Sequence, residues 1–282
     1  FQASANNQKK VCVFLHGSGE TENGPPTNLR KGYWGNVHEY TPQCSERWFI
    51  WANTKDNGWN DHEIQRAYCN LAAYHGKEPS GDGVIRNTII FSHSMGNLIL
   101  AGGIQNKYCS LDTETSSWYA IDSPYDGSKA STKLKKICYD YHHSESPTLF
   151  QKLFGYIAEA GGYCVPGTGK AYEAYTSVHP GYCDEEGQCI DDLEDVIVGH
   201  VKGALCGVSS IGLASKYSVM LEALSLVVDF GEGNDGMVGQ SSCEKYHQDF
   251  SKKFRSSFYR SQSNHADGTC RNGDGWWSDG RK

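Results

Sequence analysis

The residue best placed to attack a substrate is Ser94, in the stretch "NTIIFSHSMGNLIL" over residues 87–100. An apolar, β-rich run stops at Ser92, and a helix-compatible pattern starts almost at once after Gly96. A sharp strand-to-helix turn lifts a nucleophile above a sheet. It forces strained backbone at that residue and small side chains two positions to either side, usually as Gly-x-Ser-x-Gly. Ser92 and Gly96 flank Ser94 in that way, with serine in the first position. The helix that follows also aims its N-terminus at developing negative charge. The alternative role is an ordinary N-cap serine.

Three further stretches offer what such a serine needs. "VFLHGSGE" (13–20) is a strand ending in a glycine-bearing turn. Acyl transfer requires two N–H donors aimed at an oxyanion, and Ser18 and Met95 are positioned to give them. "GEGNDGMVG" (231–239) places Asp235 in a turn that can orient an imidazole, with Asp122 and Asp229 as rival acids. "YRSQSNHADGTC" (259–270) holds His265 in a polar loop after the last strand candidate. The order Ser94, Asp235, His265 is the chain order of acyl-transfer triads on α/β sheets. His16 and His93 read as structural turn residues, and His142 and His143 as solvated.

These groups need a scaffold that brings strand ends together. Strand candidates are 11–15, 47–53, 87–92, 117–122, 224–230 and 254–260, with helices expected over 60–76 and 96–107. Strands alternating with helices imply parallel βαβ units, and the continuously apolar strands fit a sheet covered on both faces. The expectation is an α/β fold with a mostly parallel sheet of about six strands. Residues 1–127 and 214–282 would form its core, and residues 128–213 a cap or lid insertion. Within the cap, the helical stretch 148–160 carries Leu149, Phe150, Leu153, Phe154 and Ile157 as a broad apolar stripe. Such a stripe suits either a lipid-facing lid or plain core contact.

Composition narrows the class. The net charge of −7 over 282 residues argues against a nucleic-acid partner, which calls for clustered Lys and Arg. The acidic run from Asp184 to Asp195 reads as a solvated loop. Eleven cysteines point to an oxidising, secreted or lumenal setting. The odd count leaves one thiol over, expected at Cys12 inside "VCVFL", while Cys183 and Cys189 bracket a short loop and are expected to pair. The start at Phe1 fits a processed secretory product or an artificially trimmed chain. No apolar run reaches the roughly 18 residues of a membrane-spanning helix.

The motifs together resemble α/β-hydrolases, and more narrowly the secreted bacterial true lipases of the Pseudomonas type. The resemblance rests on "HGSG", "HSMGN", "DSPYDGS", "GNDGMVGQSSC" and "NHADGTC", within residues 11–22, 88–102, 119–131 and 224–270. It implies Ser94 as nucleophile, Asp235 as acid, His265 as base, Ser18 and Met95 as oxyanion donors, and a sheet lacking the fold's first two strands. It also implies that Asp267 helps hold a structural calcium near the histidine, although Arg271 stands where a neutral ligand is expected and no partner Asp is evident upstream. Tyr125 replaces the usual His of the "SPYDGS" block, and Cys243 or Cys270 are candidates to clamp the acid and base loops instead of metal. No other cofactor is required. The expected function is a secreted serine carboxylester hydrolase, lipase or esterase, acting on an ester substrate or lipid interface. The modest hydrophobic content, 38%, favours a soluble ester, thioester or glycan ester. An acyltransferase or thioesterase would share every motif, and a non-catalytic hydrolase-fold binding protein is the alternative of a different class.

Overall fold

The apolar run "KVCVFL" forms β1 (Lys10–Leu15), whose alternate side chains feed two cores on opposite faces of one sheet. The computed structural model describes residues 9–29, 32–77 and 81–273, and the backbone of 276–277 and 280–281. The other strands of the sheet are β2 (Cys44–Phe49), β3 (Thr88–His93), β4 (Ser117–Ile121), β5 (Val201–Gly207) and β6 (Phe258–Ser261). Their order is β6-β5-β4-β3-β1-β2, with every neighbouring pair parallel. The expected six-stranded α/β architecture is the one observed.

One face buries Val13, Leu15, Ile90 and Trp118 beneath α1 (His62–Tyr74) and α2 (Met95–Gln105). Asp61 caps α1 by accepting from the Ile64 N–H at 2.9 Å, satisfying one of its orphan amide groups. The opposite face carries an aromatic ladder. Phe49, Phe14, Phe91 and Tyr119 are register neighbours on four adjacent strands, stacked at 4.9, 5.1 and 5.7 Å. Cross-strand aromatic pairs of this kind fix register, because a one-residue slip would turn every ring to the wrong face.

Between β4 and β5 lie α3 (Lys129–His143), α4 (Leu149–Ala160) and the short α5 (Glu194–His200). His142 joins α3 to α4 through Glu159 at 2.6 Å. On α4, Leu149 and Leu153 are 84% and 53% exposed, while Phe154 and Ile157 are half-buried, so the apolar stripe is divided between solvent and the protein. The Phe150 side chain lies outside the described residues.

Three expectations about the elements need correction. Residues 201–207, included in the expected cap over 128–213, form β5, which lies between β4 and the edge strand β6. Their strand signal is diluted by Gly203 and Gly207, which are needed for close approach: a Cβ on Gly203 would lie 2.6 Å from the Ser257 carbonyl oxygen. Residues 224–230, expected as a strand, fall in α6 (Lys216–Val228) and its end. A Ser215–Ser218 capping box starts that helix, and Asp229 ends it in the left-handed conformation at φ 51°; the caps outweigh the local β-branched residues. The strand expected over 47–53 begins earlier, at Cys44.

Five disulfides join Cys12–Cys44, Cys69–Cys109, Cys138–Cys164, Cys183–Cys189 and Cys206–Cys243. The Cys183–Cys189 pair is as expected, but Cys12 is bonded, because the parallel pairing of β1 with β2 brings it beside Cys44. Cys270 stands outside these five pairs. In the acidic run, Asp191 contacts Lys245 at 2.7 Å on the surface. Among the described residues, no helix is long and apolar enough to cross a membrane.

Candidate active site

β3 runs into α2 through Ser94 alone, which sits at φ 54°, ψ −132°. A non-glycine residue there costs roughly 1–3 kcal/mol, so its surroundings must hold it. The Ser94 N–H donates to Ile121 O at 2.8 Å, and Asn97 Nδ2 donates to Ser94 O at 3.1 Å. Gly17 and Gly96 make the turn possible. A Cβ on Gly17 would sit 2.6 Å from Ser94 Cβ, and one on Gly96 would sit 2.4 Å from His16 O. Ser92, where a glycine is usual, is buried and bonded: Trp118 Nε1 donates to its hydroxyl at 2.5 Å, and that hydroxyl donates to Asn97 Oδ1.

The loops after α6 and after β6 bring Asp235 and His265 to this serine. His265 Nδ1 lies 2.6 Å from Asp235 Oδ2, and its Nε2 lies 2.8 Å from Ser94 Oγ. A carboxylate only accepts, so Nδ1 bears the proton and the Nε2 lone pair faces the serine hydroxyl. Asp235, 1% exposed, accepts on its other oxygen from the Met237 and Val238 N–H groups at 2.8 and 2.7 Å. The His265 N–H also donates to Asp235 O at 2.9 Å, tying the two loops together directly. The Cys206–Cys243 disulfide fastens the segment beyond the acid loop to β5.

Behind the array lies a second chain of hydrogen bonds that the sequence did not disclose. The Gly17 N–H donates to Tyr33 Oη at 2.9 Å, and the Tyr33 hydroxyl donates to His93 Nδ1 at 2.6 Å. His93 Nε2–H donates to the His265 carbonyl at 2.8 Å. His93 is therefore neutral, and burial holds its protonation well below the usual histidine range, with His265 adding to the effect. Burial likewise pushes the Tyr33 hydroxyl up to about 12. His93 is structural as expected, but what it positions is His265. Tyr33 is flanked by no motif, so nothing local marks it.

Asp122, a rival acid, ends β4 in full burial beside the array. Its Oδ1 accepts from the Gly207 N–H at 2.7 Å, and its Oδ2 is 3.7 Å from His93 Nε2 without a hydrogen bond. Burial, then the neighbouring Asp235, raises its carboxyl well above the ordinary range. Asp229, the other rival, caps α6, and the carboxylate bonded to His265 Nδ1 is that of Asp235.

Ser18 shares with Ser94 and His265 a cavity of about 620 Å³. Met95 follows Ser94 at the first turn of α2, with its buried thioether accepting from the Ser18 hydroxyl at 3.4 Å. Asp267 does not suit a cation. Its Oδ2 accepts from the Leu213 and Asn264 N–H groups at 2.8 and 3.0 Å, and its Oδ1 accepts from Asn272 Nδ2 at 2.6 Å. Calcium needs six to eight oxygen ligands, whereas the groups that surround this carboxylate are N–H donors. His93, Asp122 and His265 are the one cluster of metal-ligating types among the described residues. Both ring nitrogens of His93 and of His265 are already engaged there.

No protein-family model matches the chain, and no curated protein matches it in sequence. Among solved structures it is similar to the mature lipase of Bacillus licheniformis, at a TM-score of 0.53 and 14% identity over 94% of this chain and 88% of that one. The same lipase in its propeptide form gives a TM-score of 0.53 and 15% identity, over 94% of this chain and 48% of that one. Lipase 1 of Pelosinus fermentans covers 94% of each chain at a TM-score of 0.49 and 12% identity. Identity this low speaks to the fold. The parallel six-stranded sheet, its strand-to-helix serine turn and the likeness to the Bacillus licheniformis lipase give the chain the α/β-hydrolase fold.

Proposed function

We propose that the protein is a secreted serine carboxylester hydrolase of the lipase or esterase type. The observation that carries the reading is the Asp235–His265–Ser94 relay, at 2.6 and 2.8 Å, on a serine held at positive φ. His265 takes the proton of Ser94 as its oxygen attacks the ester carbonyl. Asp235 keeps the imidazole in the required tautomer and stabilises the imidazolium. The N–H groups of Ser18 and Met95 receive the oxyanion, the alcohol leaves with the proton from His265, and water resolves the acyl-enzyme by the reverse sequence. Five disulfides support an oxidising, extracellular setting. We assign the cap to the residues between β4 and β5, and structural calcium is not part of this reading.

Turnover of p-nitrophenyl esters of graded acyl length, with and without a lipid interface, tests it. Hydrolysis by the wild type that disappears in Ser94→Ala is expected, and interface-dependent gain on long chains would mark a lipase. A Ser94→Ala variant as active as the wild type would overturn the assignment.

A further inference from the structure

The cavity over Ser94 sets two cations among apolar and aromatic side chains such as Leu221, Val238 and Tyr175. Its wall carries Arg271 and Lys55, with Glu20 as the one carboxylate, in a protein whose net charge is −7. Arg271 is held rigidly: its Nε donates to Tyr33 O at 2.5 Å, and its guanidinium lies 4.2 Å over the Tyr33 ring and 5.5 Å from that of Tyr217. Lys55 lies 4.3 Å over the Tyr172 ring. No carboxylate among the described residues comes within ion-pair distance of either cation. Burial raises the Tyr33, Tyr163 and Tyr175 hydroxyls, so these three neighbours add no negative charge beside the cations.

A guanidinium anchored through Nε on an aromatic face still offers its two terminal amino groups as a fork. That fork matches a carboxylate or phosphate in bidentate geometry, and a lysine adds a point charge. Withdrawn partly from water, such a pair discriminates charge more strongly than surface cations would.

We propose that the cavity selects esters bearing an anionic group, a carboxylate or a phosphate, on the portion lodged against Arg271, with Lys55 as the second cation. This inference rests on the hydrolase reading above and adds a substrate class to it. Arg271 is a specificity-determining residue; the reacting atoms remain with Ser94 and His265.

The test compares kcat/KM for mono-p-nitrophenyl glutarate, its phosphonate counterpart and neutral p-nitrophenyl pentanoate, in wild type, Arg271→Gln, Arg271→Lys and Lys55→Gln. The wild type is expected to favour at least one anionic ester. Arg271→Gln should lower the anionic-to-neutral ratio about tenfold or more, the usual worth of a charged hydrogen bond. Arg271→Lys should fall between, and the two anionic arms show which oxyanion is preferred. A merely structural role for Arg271 would slow all esters alike and leave the ratio unmoved, which would overturn the proposal, as would a wild-type preference for the neutral ester. Calorimetric binding of glutarate and methylphosphonate to Ser94→Ala separates the two readings. Binding lost with Arg271→Gln, without ester turnover in the wild type, would keep the anion site and sink the hydrolase. Turnover without anion binding would do the reverse.

Discussion

His93 Nε2 donates to the backbone carbonyl of His265 at 2.8 Å, so the residue before the serine holds the loop of the imidazole that faces it. Through Tyr33 the same side chain is bonded to Gly17, and three separate loops share one buried network. His93→Gln should therefore lower kcat about tenfold or more by loosening His265, with less effect on KM. It should also change the response to acid. Burial depresses protonation of His93 in the folded chain, while the unfolded residue titrates near 6.5. The stability it contributes is complete above about pH 6.5 and is lost as pH falls toward the folded value. Melting curves at pH 5 and 7.5 should show a shallower acid loss in the variant; equal slopes would refute this.

Ser92→Gly would restore the usual glycine of the turn, yet it should destabilise the chain. It removes the acceptor of Trp118 Nε1 and the donor to Asn97, all buried. An unsatisfied buried donor costs about 1–3 kcal/mol. Chemical denaturation would register this as a lower midpoint, and an unchanged midpoint would show that the hydroxyl is idle.

Asp122 behaves oppositely to a paired carboxylate. Its folded protonation is raised well above the usual range, chiefly by burial, whereas the unfolded carboxyl titrates near 3.9. Its stabilising contribution is complete below about pH 3.9 and disappears as pH rises through the folded value. Asp122→Asn keeps the acceptor for the Gly207 N–H and should be more stable than the wild type at pH 8, by a margin that narrows toward pH 4. A variant less stable at pH 8 than at pH 4, relative to wild type, would contradict this sign.

Asp267 joins the His265 loop to the segment before α6 by hydrogen bonds alone. Treatment with a calcium chelator should leave the melting temperature unchanged. Asp267→Ala should lower it, by about 2 kcal/mol or more in stability, since three donors lose their acceptor. A large fall on chelation would restore the metal.

Much of this was legible in the sequence because strand-end chemistry leaves local marks. Ser94 was marked by the strand-to-helix turn, Asp235 by an Asn-Asp-Gly loop and His265 by its polar loop after the last strand. What escaped depends on long-range packing. β5 was hidden by glycines whose value lies in backbones approaching closely, and α6 by a Val-rich end governed by caps. Cys12 looked like an isolated core thiol until β2 was paired alongside. Tyr33 and Arg271 belong to no motif, and 238 positions separate the two residues of their contact.

The central claim is tested most directly by covalent labelling with a fluorophosphonate, followed by peptide mass spectrometry. The adduct should fall on Ser94 in the wild type and be strongly reduced in His265→Ala, in which the hydroxyl has lost its base. Absence of any adduct in the folded wild type, or modification of a different serine, would contradict it.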